Sequence, residues 1–274
     1  MRLSKYITTN GFEPEQLKEC VAFHDTTKIK PFSSVKTFLR SSQYVDSTRG
    51  VEETSRNYRN YNAPWEDLGD ARLPSTGFDQ INERRCSTRE YDPNAPFDRS
   101  KLLATLKSCC ESRFGITPYS ETAKLGFRGY ASAGGLFPVD IYMLERDGDE
   151  FTLRYLNPRT SHLFELHTFG PEHHSMLTRA LCDGNHDLLH TTQGVFILSA
   201  VWERSIVKYG RQGYRFAVME LGIVAHHLSM CLTAMEVDNL HWGGGFDDLV
   251  GEIVGIDPRA EAVGHLLWYG ARSG

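Results

Sequence analysis

The stretch from Tyr214 to Val237 is apolar on nearly every face, and a helix with that pattern has to sit inside the protein with other elements packed around it. The chain must therefore build its fold around a central helix. Val139 to Arg146 and Glu150 to Asn157 are strand-like runs joined by Asp147-Gly148-Asp149, a turn signal that makes an antiparallel hairpin the simplest reading. Gly194 to Trp202 reads as a third strand and Val263 to Tyr269 as a fourth. Hairpin strands separated by long helices argue for an α+β fold with an antiparallel sheet, not a doubly wound one. Asp98 has the place of an N-cap for a helix through Cys110, whose Leu102, Leu103, Leu106 and Cys110 fall on one face.

Before residue 76 the pattern is different. Helical stretches are expected over Glu13 to His24 and Val35 to Leu39, followed by the polar run Ser47 to Tyr61, which has few apolar side chains to anchor it. Residues 1–75 thus read as an accessory segment, a loop or an arm for a partner, and residues 76–274 as the main domain. Hydrophobic content of 40% is ordinary for a globular chain of 274 residues, and a net charge of -5 with scattered bases gives no reason to expect a nucleic acid partner. The first ten residues carry cations but no apolar core or cleavage site of a secretory signal, which points to the cytoplasm. Apolar runs such as Gly194 to Trp202 are too short for a bilayer, so no membrane span is expected. The six cysteines lack C-x-x-C spacing and read as buried reduced thiols.

Four segments could carry chemistry. In V-K-Y-G-R-Q-G-Y-R, Val207 to Arg215, adjacent Lys208 and Tyr209 sit among Arg204, Arg211 and Arg215. Crowded cations disfavour protonated lysine and favour phenolate, which would bring both groups toward the range useful for proton abstraction; a solvated surface loop is the plainer alternative. Arg84-Arg85-Cys86-Ser87-Thr88-Arg89 sets two forked donors, Arg85 and Arg89, around the Ser87 hydroxyl, a pattern that suits a terminal phosphate as well as ordinary surface charge. Ala131 to Pro138 is a side-chain-poor loop with Gly134 and Gly135, open enough for a flat ring or simply for a tight connection. Gly243-Gly244-Gly245 opens a short helix running to Val254. His186 and His190 have i,i+4 spacing without a glutamate or a third ligand, and adjacent His226 and His227 point to different helix faces, so no metal is expected.

Taken in order, R-R-C-S-T-R at 84, S-A-G-G-L-F-P at 132, W-E-R-S-I-V-K-Y-G-R-Q-G-Y-R at 202, M-E-L-G at 219 and G-G-F-D-D at 244 resemble the SagB-type dehydrogenases of the nitroreductase superfamily. Among these, the short microcin-type azole dehydrogenases look closest. The resemblance covers roughly residues 75–270, with looser agreement in F-H-D-T-T-K at 23 and R-L-P at 72. It implies a nitroreductase-like fold, two interlocked subunits, and FMN in two sites at their interface. It further implies that Arg85, Ser87 and Arg89 hold the FMN phosphate and that Ser132, Gly134 and Gly135 touch the ring. Lys208 and Tyr209 match the pair that is catalytic in azoline dehydrogenation. A further phosphate contact is placed at Arg272. Two departures stand out: Ala131 precedes Ser132 where many relatives have proline, and Cys86 lies inside R-x-S-x-R.

The activity so implied is oxidation of thiazoline or oxazoline rings of a ribosomally made peptide to thiazoles or oxazoles, in bacteriocin-type biosynthesis. The partners implied are the precursor peptide and the cyclodehydratase subunits of a multi-subunit synthetase. Tyr209, with Lys208 beside it, would take the α-proton, or Lys208 would be the base itself. Two other readings share these motifs: an NAD(P)H-dependent reductase of nitro or quinone compounds, and a non-catalytic docking subunit.

Overall fold

Alternation of apolar residues along the third expected strand decides the layering. In Gly194–Val201 every residue but the last is buried; Val195 and Ile197 face one hydrophobic core, while Phe196, Leu198 and Ala200 face another. A sheet buried on both faces needs helices on both, and the chain supplies them. In the computed structural model the strands are β1 (Trp65–Asp67), β2 (Arg113–Thr117), β3 (Ser120–Phe127), β4 (Val139–Asp147), β5 (Glu150–Asn157), β6 (His162–Phe169), β7 (Gly194–Val201), β8 (Asp238–Trp242) and β9 (Glu261–Gly270). The α-helices are α1 (Phe78–Arg84), α2 (Arg99–Ser108), α3 (His174–Leu181), α4 (Leu188–Thr191), α5 (Trp202–Tyr209), α6 (Gln212–Ala234) and α7 (Asp247–Val254). The structure describes residues 43, 47, 60–69, 77–111, 113–117, 120–182, 188–209, 212–243, 245–257 and 261–272. The helices expected over residues 13–24 and 35–39 lie outside these, as do most of the polar run at 47–61, Cys20, His186, Arg211 and Gly244.

Seven strands form one antiparallel sheet in the order β1-β6-β5-β4-β7-β9-β8, and β2 and β3 pair as a separate hairpin. Leu102, Leu106, Val224, Leu228 and Leu232 of α2 and α6 fill one face; Leu177, Leu181, Val250 and Val254 of α3 and α7 fill the other. The Asp98 carboxylate caps α2 by accepting from the Ser100 N–H at 2.9 Å. Leu102, Leu106 and Cys110 are buried as their spacing requires, with Leu103 partly buried against the same core.

Three expectations need correction. The third strand stops at Val201, and Trp202 begins α5 instead. Helix α6 spans 23 residues and holds an 18-residue stretch of mean hydropathy 1.4, so among the described residues one segment does have the length and composition to cross a bilayer; here it is a core helix, 61% of that stretch being buried inside the protein. Cys86 is exposed, whereas Cys109, Cys110, Cys182 and Cys231 are buried; all five are free thiols.

The register dictates what meets what. Val139 at the start of β4 pairs with Ala200 at the end of β7, and the Val201 N–H donates to the Pro138 carbonyl at 2.8 Å. The glycine loop before β4 and the helix after β7 therefore share one end of the sheet. At the other end, Gly194 pairs with Tyr269 and Asp238 with Gly270.

Candidate functional site

At the first end, Ala133–Gly135 forms a single 3₁₀ turn, and Gly134 and Gly135 have φ of 64° and 66°. Two successive left-handed positions are why glycine is needed. There is a second reason at Gly134: a Cβ there would overlap the Tyr209 hydroxyl and come within 2.8 Å of the Lys208 Nζ. The loop thus closes directly on the Lys-Tyr pair. Ser132 braces it, its Oγ accepting the Phe137 N–H at 2.8 Å.

Lys208 and Tyr209 are the last residues of α5, not members of a surface loop. Lys208 is only 4% exposed, with its Nζ 5.3 Å from the Tyr209 ring centroid, and Tyr209 packs edge-on against Phe216 of α6. Burial pushes the lysine pKa down, because a protonated ammonium loses its hydration there. The direction matches expectation, but the expected cause does not. One turn earlier on α5, Arg204 turns its guanidinium onto buried Asp140 of β4, Nη1 to Oδ1 at 2.6 Å and Nη2 to Oδ2 at 3.0 Å. Burial alone would favour loss of the Arg204 proton, yet Asp140 outweighs it and holds the guanidinium charged. Arg204 also donates to the Phe137 carbonyl at 3.4 Å, tying α5 to the loop.

Sequence reading named M-E-L-G without giving its glutamate a role. Glu220 is 1% exposed on α6 beneath the glycine loop. Burial pushes its carboxyl up to about 7, against the pull of the Ser132 hydroxyl, Arg128, Arg204 and the Ala133 N–H. Neither of its oxygens completes a hydrogen bond of normal geometry. A lone acid in an otherwise apolar helix was the signal that could have found it.

At the opposite end, the segment after α1 runs along edge strand β8. Ser87 bridges Asn239, the Thr88 N–H donates to the Asn239 carbonyl at 3.0 Å, and the Thr88 hydroxyl donates to Asp238 at 2.9 Å. Arg272 comes to the same aspartate, with Nε at 3.0 Å and Nη2 at 2.9 Å. Ser87 and Arg89 are exposed and Arg85 half-buried, so this edge presents a hydroxyl and forked donors outward. Arg85 lies close enough to His241 of β8 to help depress its pKa. The structure thus gathers Arg85, Ser87, Arg89 and Arg272 at one end, and Ser132, Gly134, Gly135, Lys208 and Tyr209 at the other. Among the described residues no group of three or more His, Cys, Asp or Glu could hold a metal ion.

The sequence profile of the nitroreductase family matches residues 82–268, well over half of the chain and all of the sheet except β1 and the last two residues of β9. The chain belongs to the nitroreductase family. Among curated relatives, the Methanocaldococcus jannaschii protein MJ1384, named as a nitroreductase, is 27% identical over 185 residues, covering 63% of this chain and 81% of that protein. The microcin B17-processing protein McbC of Escherichia coli is 22% identical over 182 residues, covering 61% of this chain and 65% of McbC. Among solved structures, a chain of the Escherichia coli microcin synthetase McbBCD complex with truncated pro-MccB17 bound superposes with a TM-score of 0.56 at 17% identity, over 96% of this chain and 95% of that one. A nitroreductase-fold protein of Exiguobacterium sibiricum solved with FMN superposes with a TM-score of 0.50 at 14% identity, over 74% and 91%. At these identities the superpositions establish the nitroreductase-like fold.

Proposed function

We propose that this protein is an FMN-dependent dehydrogenase that oxidises azoline rings of a ribosomally made peptide to azoles. The observation that carries the reading is the contact of the glycine loop with Lys208 and Tyr209 at the end of α5. Family membership supports a flavin, and the donor set fits one: Arg85, Ser87, Arg89 and Arg272 would hold its phosphate, while Ser132, Gly134 and Gly135 would lie against its ring.

These two sets cannot serve one cofactor within a single chain. Seven residue steps along β7 take the chain from Gly194, beside the phosphate end, to Val201, beside the loop; at strand rise that is about 23 Å, farther than a flavin mononucleotide reaches from ring to phosphate. The proposal is therefore a homodimer in which each site takes the phosphate set from one copy and the loop with Lys208 and Tyr209 from the other. Helix α6 supports a second copy: Tyr214, Val218, Met219 and Ile223 are exposed along it, and Gly222 among them has open space where a side chain would be.

When bound, the flavin supplies a two-electron acceptor for the hydride leaving the ring β-carbon. The chain's own residues handle the proton. An azoline α-C–H, flanked by a C=N and a carbonyl, is acidic enough for a neutral amine to take, and burial shifts Lys208 toward that form. The Tyr209 hydroxyl, packed against Gly134, orients the ring and donates to its heteroatom. Arg204 and Asp140 fix α5 and hence the amine.

McbC and the McbBCD complex motivate the choice of substrate and of partners: a precursor peptide and cyclodehydratase subunits of a synthetase. Residues 1–75 are proposed as the docking segment, and unchanged complex formation after their deletion would count against that. A reductase of nitro or quinone compounds is the second reading, favoured by the likeness to MJ1384. Offering the flavin-loaded protein an azoline peptide in air, and separately NAD(P)H with a nitroarene, tests the two together. Azole formation supports the first reading; NAD(P)H-driven nitro reduction with no azole supports the second.

A further inference from the structure

Glu220 is the one buried acid at the loop end whose oxygens both lack a partner of normal geometry among the described residues. Asp140 is satisfied by Arg204, and Glu261 accepts from the Ser199 hydroxyl at 2.5 Å. A buried carboxylate without donors is costly, and two donors lie at hand: the Ser132 hydroxyl and the Ala133 N–H, both in the loop. The Ser132 oxygen already accepts from the Phe137 N–H, and its hydroxyl has a single proton to donate. That proton can go down to Glu220 or up to a ligand on the loop's outer face, but not to both.

We propose that Glu220 is a positioning residue that sets the glycine loop's donors toward or away from the flavin according to its own protonation. This inference rests on the flavin reading and adds a control to it. With Glu220 ionised, the Ser132 hydroxyl and the Ala133 N–H turn to its carboxylate and leave the ring. With Glu220 protonated, they are released to the ring. The charges facing Glu220 come from every side. Arg128, after β3, has its guanidinium bonded to the Tyr130 hydroxyl at 2.7 Å and lies 4.3 Å from the Phe137 ring centroid. Tyr130 is within reach of the Glu220 charge. Arg204 contributes from α5, with Asp140 of β4 neutralising it; Lys208 and Tyr209 stand beyond Gly134; His227 lies two turns along α6, beside Gly129. Burial raises the carboxyl, and Arg128 and Arg204 with the loop's donors pull against it, which leaves the group at about 7 and locks it in neither form.

The test is FMN affinity, read by fluorescence quenching across about pH 6 to about pH 8.5, for the wild-type protein, Glu220→Gln and Ser132→Ala. Wild-type binding should weaken on the order of tenfold as pH rises, the worth of one hydrogen bond. Glu220→Gln, a fixed neutral side chain, should keep its low-pH affinity throughout. Ser132→Ala should bind about tenfold more weakly at low pH and lose most of the slope, which keeps the idea testable even if the glutamine variant folds poorly. The phosphate's own titration is common to all three proteins and cancels in the comparison. An identical slope in wild type and variants would overturn the role of Glu220 while leaving the flavin reading intact. Failure of every protein to bind FMN would overturn both.

Discussion

Gly134 and Tyr209, 75 residues apart in sequence, are so closely packed that the space a Cβ would take on the glycine is filled by the tyrosine hydroxyl. The antiparallel register of β4 and β7 makes this meeting obligatory, since it puts the start of one strand beside the end of the other. Gly134→Ala should therefore fail twice, through its φ of 64° and through the clash. We expect FMN affinity and turnover to fall by about tenfold or more, and the melting temperature to fall by roughly 2–8 °C because left-handed strain alone costs about 1–2 kcal/mol; a variant with wild-type affinity would show that the loop does not contact the cofactor.

Removing the Lys208 amine should separate binding from chemistry. Lys208→Ala should retain FMN within a few-fold while azoline oxidation drops by about 10²–10⁴, the usual contribution of a positioned base. Tyr209→Phe should lose less than Lys208→Ala. The reverse order would move the base to the tyrosine.

Sharing of the site between two copies has its own test. A chain carrying Arg85→Ala and Arg89→Ala and a chain carrying Lys208→Ala should each be inactive alone. Co-expressed, they should recover about a quarter of wild-type activity, because half of the dimers are mixed and each mixed dimer has one site free of both lesions. No recovery in isolated mixed dimers would place both sets of residues in one copy's site.

Asp140 answers a stability question. Asp140→Ala strands the Arg204 guanidinium without its bidentate partner in the interior, which should cost about 3–5 kcal/mol. A fall in melting temperature on the order of 10 °C is expected for a domain of this size. A change within error would mean that the guanidinium finds another acceptor.

The pH dependence of stability has two opposed contributions. His241 Nδ1 and His265 Nε2 are 2.8 Å apart on β8 and β9. Burial, then His265, Arg85 and His226, push His241 down to about 4, and burial lowers His265 as well. Folded pKa values below the ordinary 6.5 mean that stability is full above that pH and is lost as pH falls toward about 4. Glu220 has the opposite sign: its folded pKa of about 7 exceeds the ordinary 4.5, so stability declines as pH rises between them. A His241→Gln, His265→Gln variant should lose the acid-side decline, and Glu220→Gln should lose the alkaline-side one. Denaturant titrations at a series of pH values would show unchanged slopes if these groups are not the ones titrating.

Much of this fold was legible because its strands and central helix carry strong patterns. The Asp-Gly turn between β4 and β5, the apolar run of β7 and the all-round apolarity of α6 each correspond to an element within a few residues. Strand β6, H-L-F-E-L-H-T-F, was not read: its outer half is polar, and what holds it is pairing with β5, a tertiary event. The short β8 was missed for a similar reason, being hidden just after the long helix. At the site, R-x-S-x-R, the glycine loop and the Lys-Tyr pair were visible as residue types. What lowers the lysine pKa was not, since Arg204 proved to be neutralised by Asp140, and burial is a property of the packed chain. Glu220 was in plain view within a motif; its consequence depends on which loop lies above it.

The central claim is that the protein converts azolines to azoles with a flavin. Its most direct test is mass spectrometry of an azoline-containing peptide incubated in air with the FMN-loaded wild-type protein and, in parallel, with Lys208→Ala. A loss of two hydrogens per ring is expected with the wild type and an unchanged peptide with the variant. An unchanged peptide in both, from protein shown to hold FMN, would contradict it.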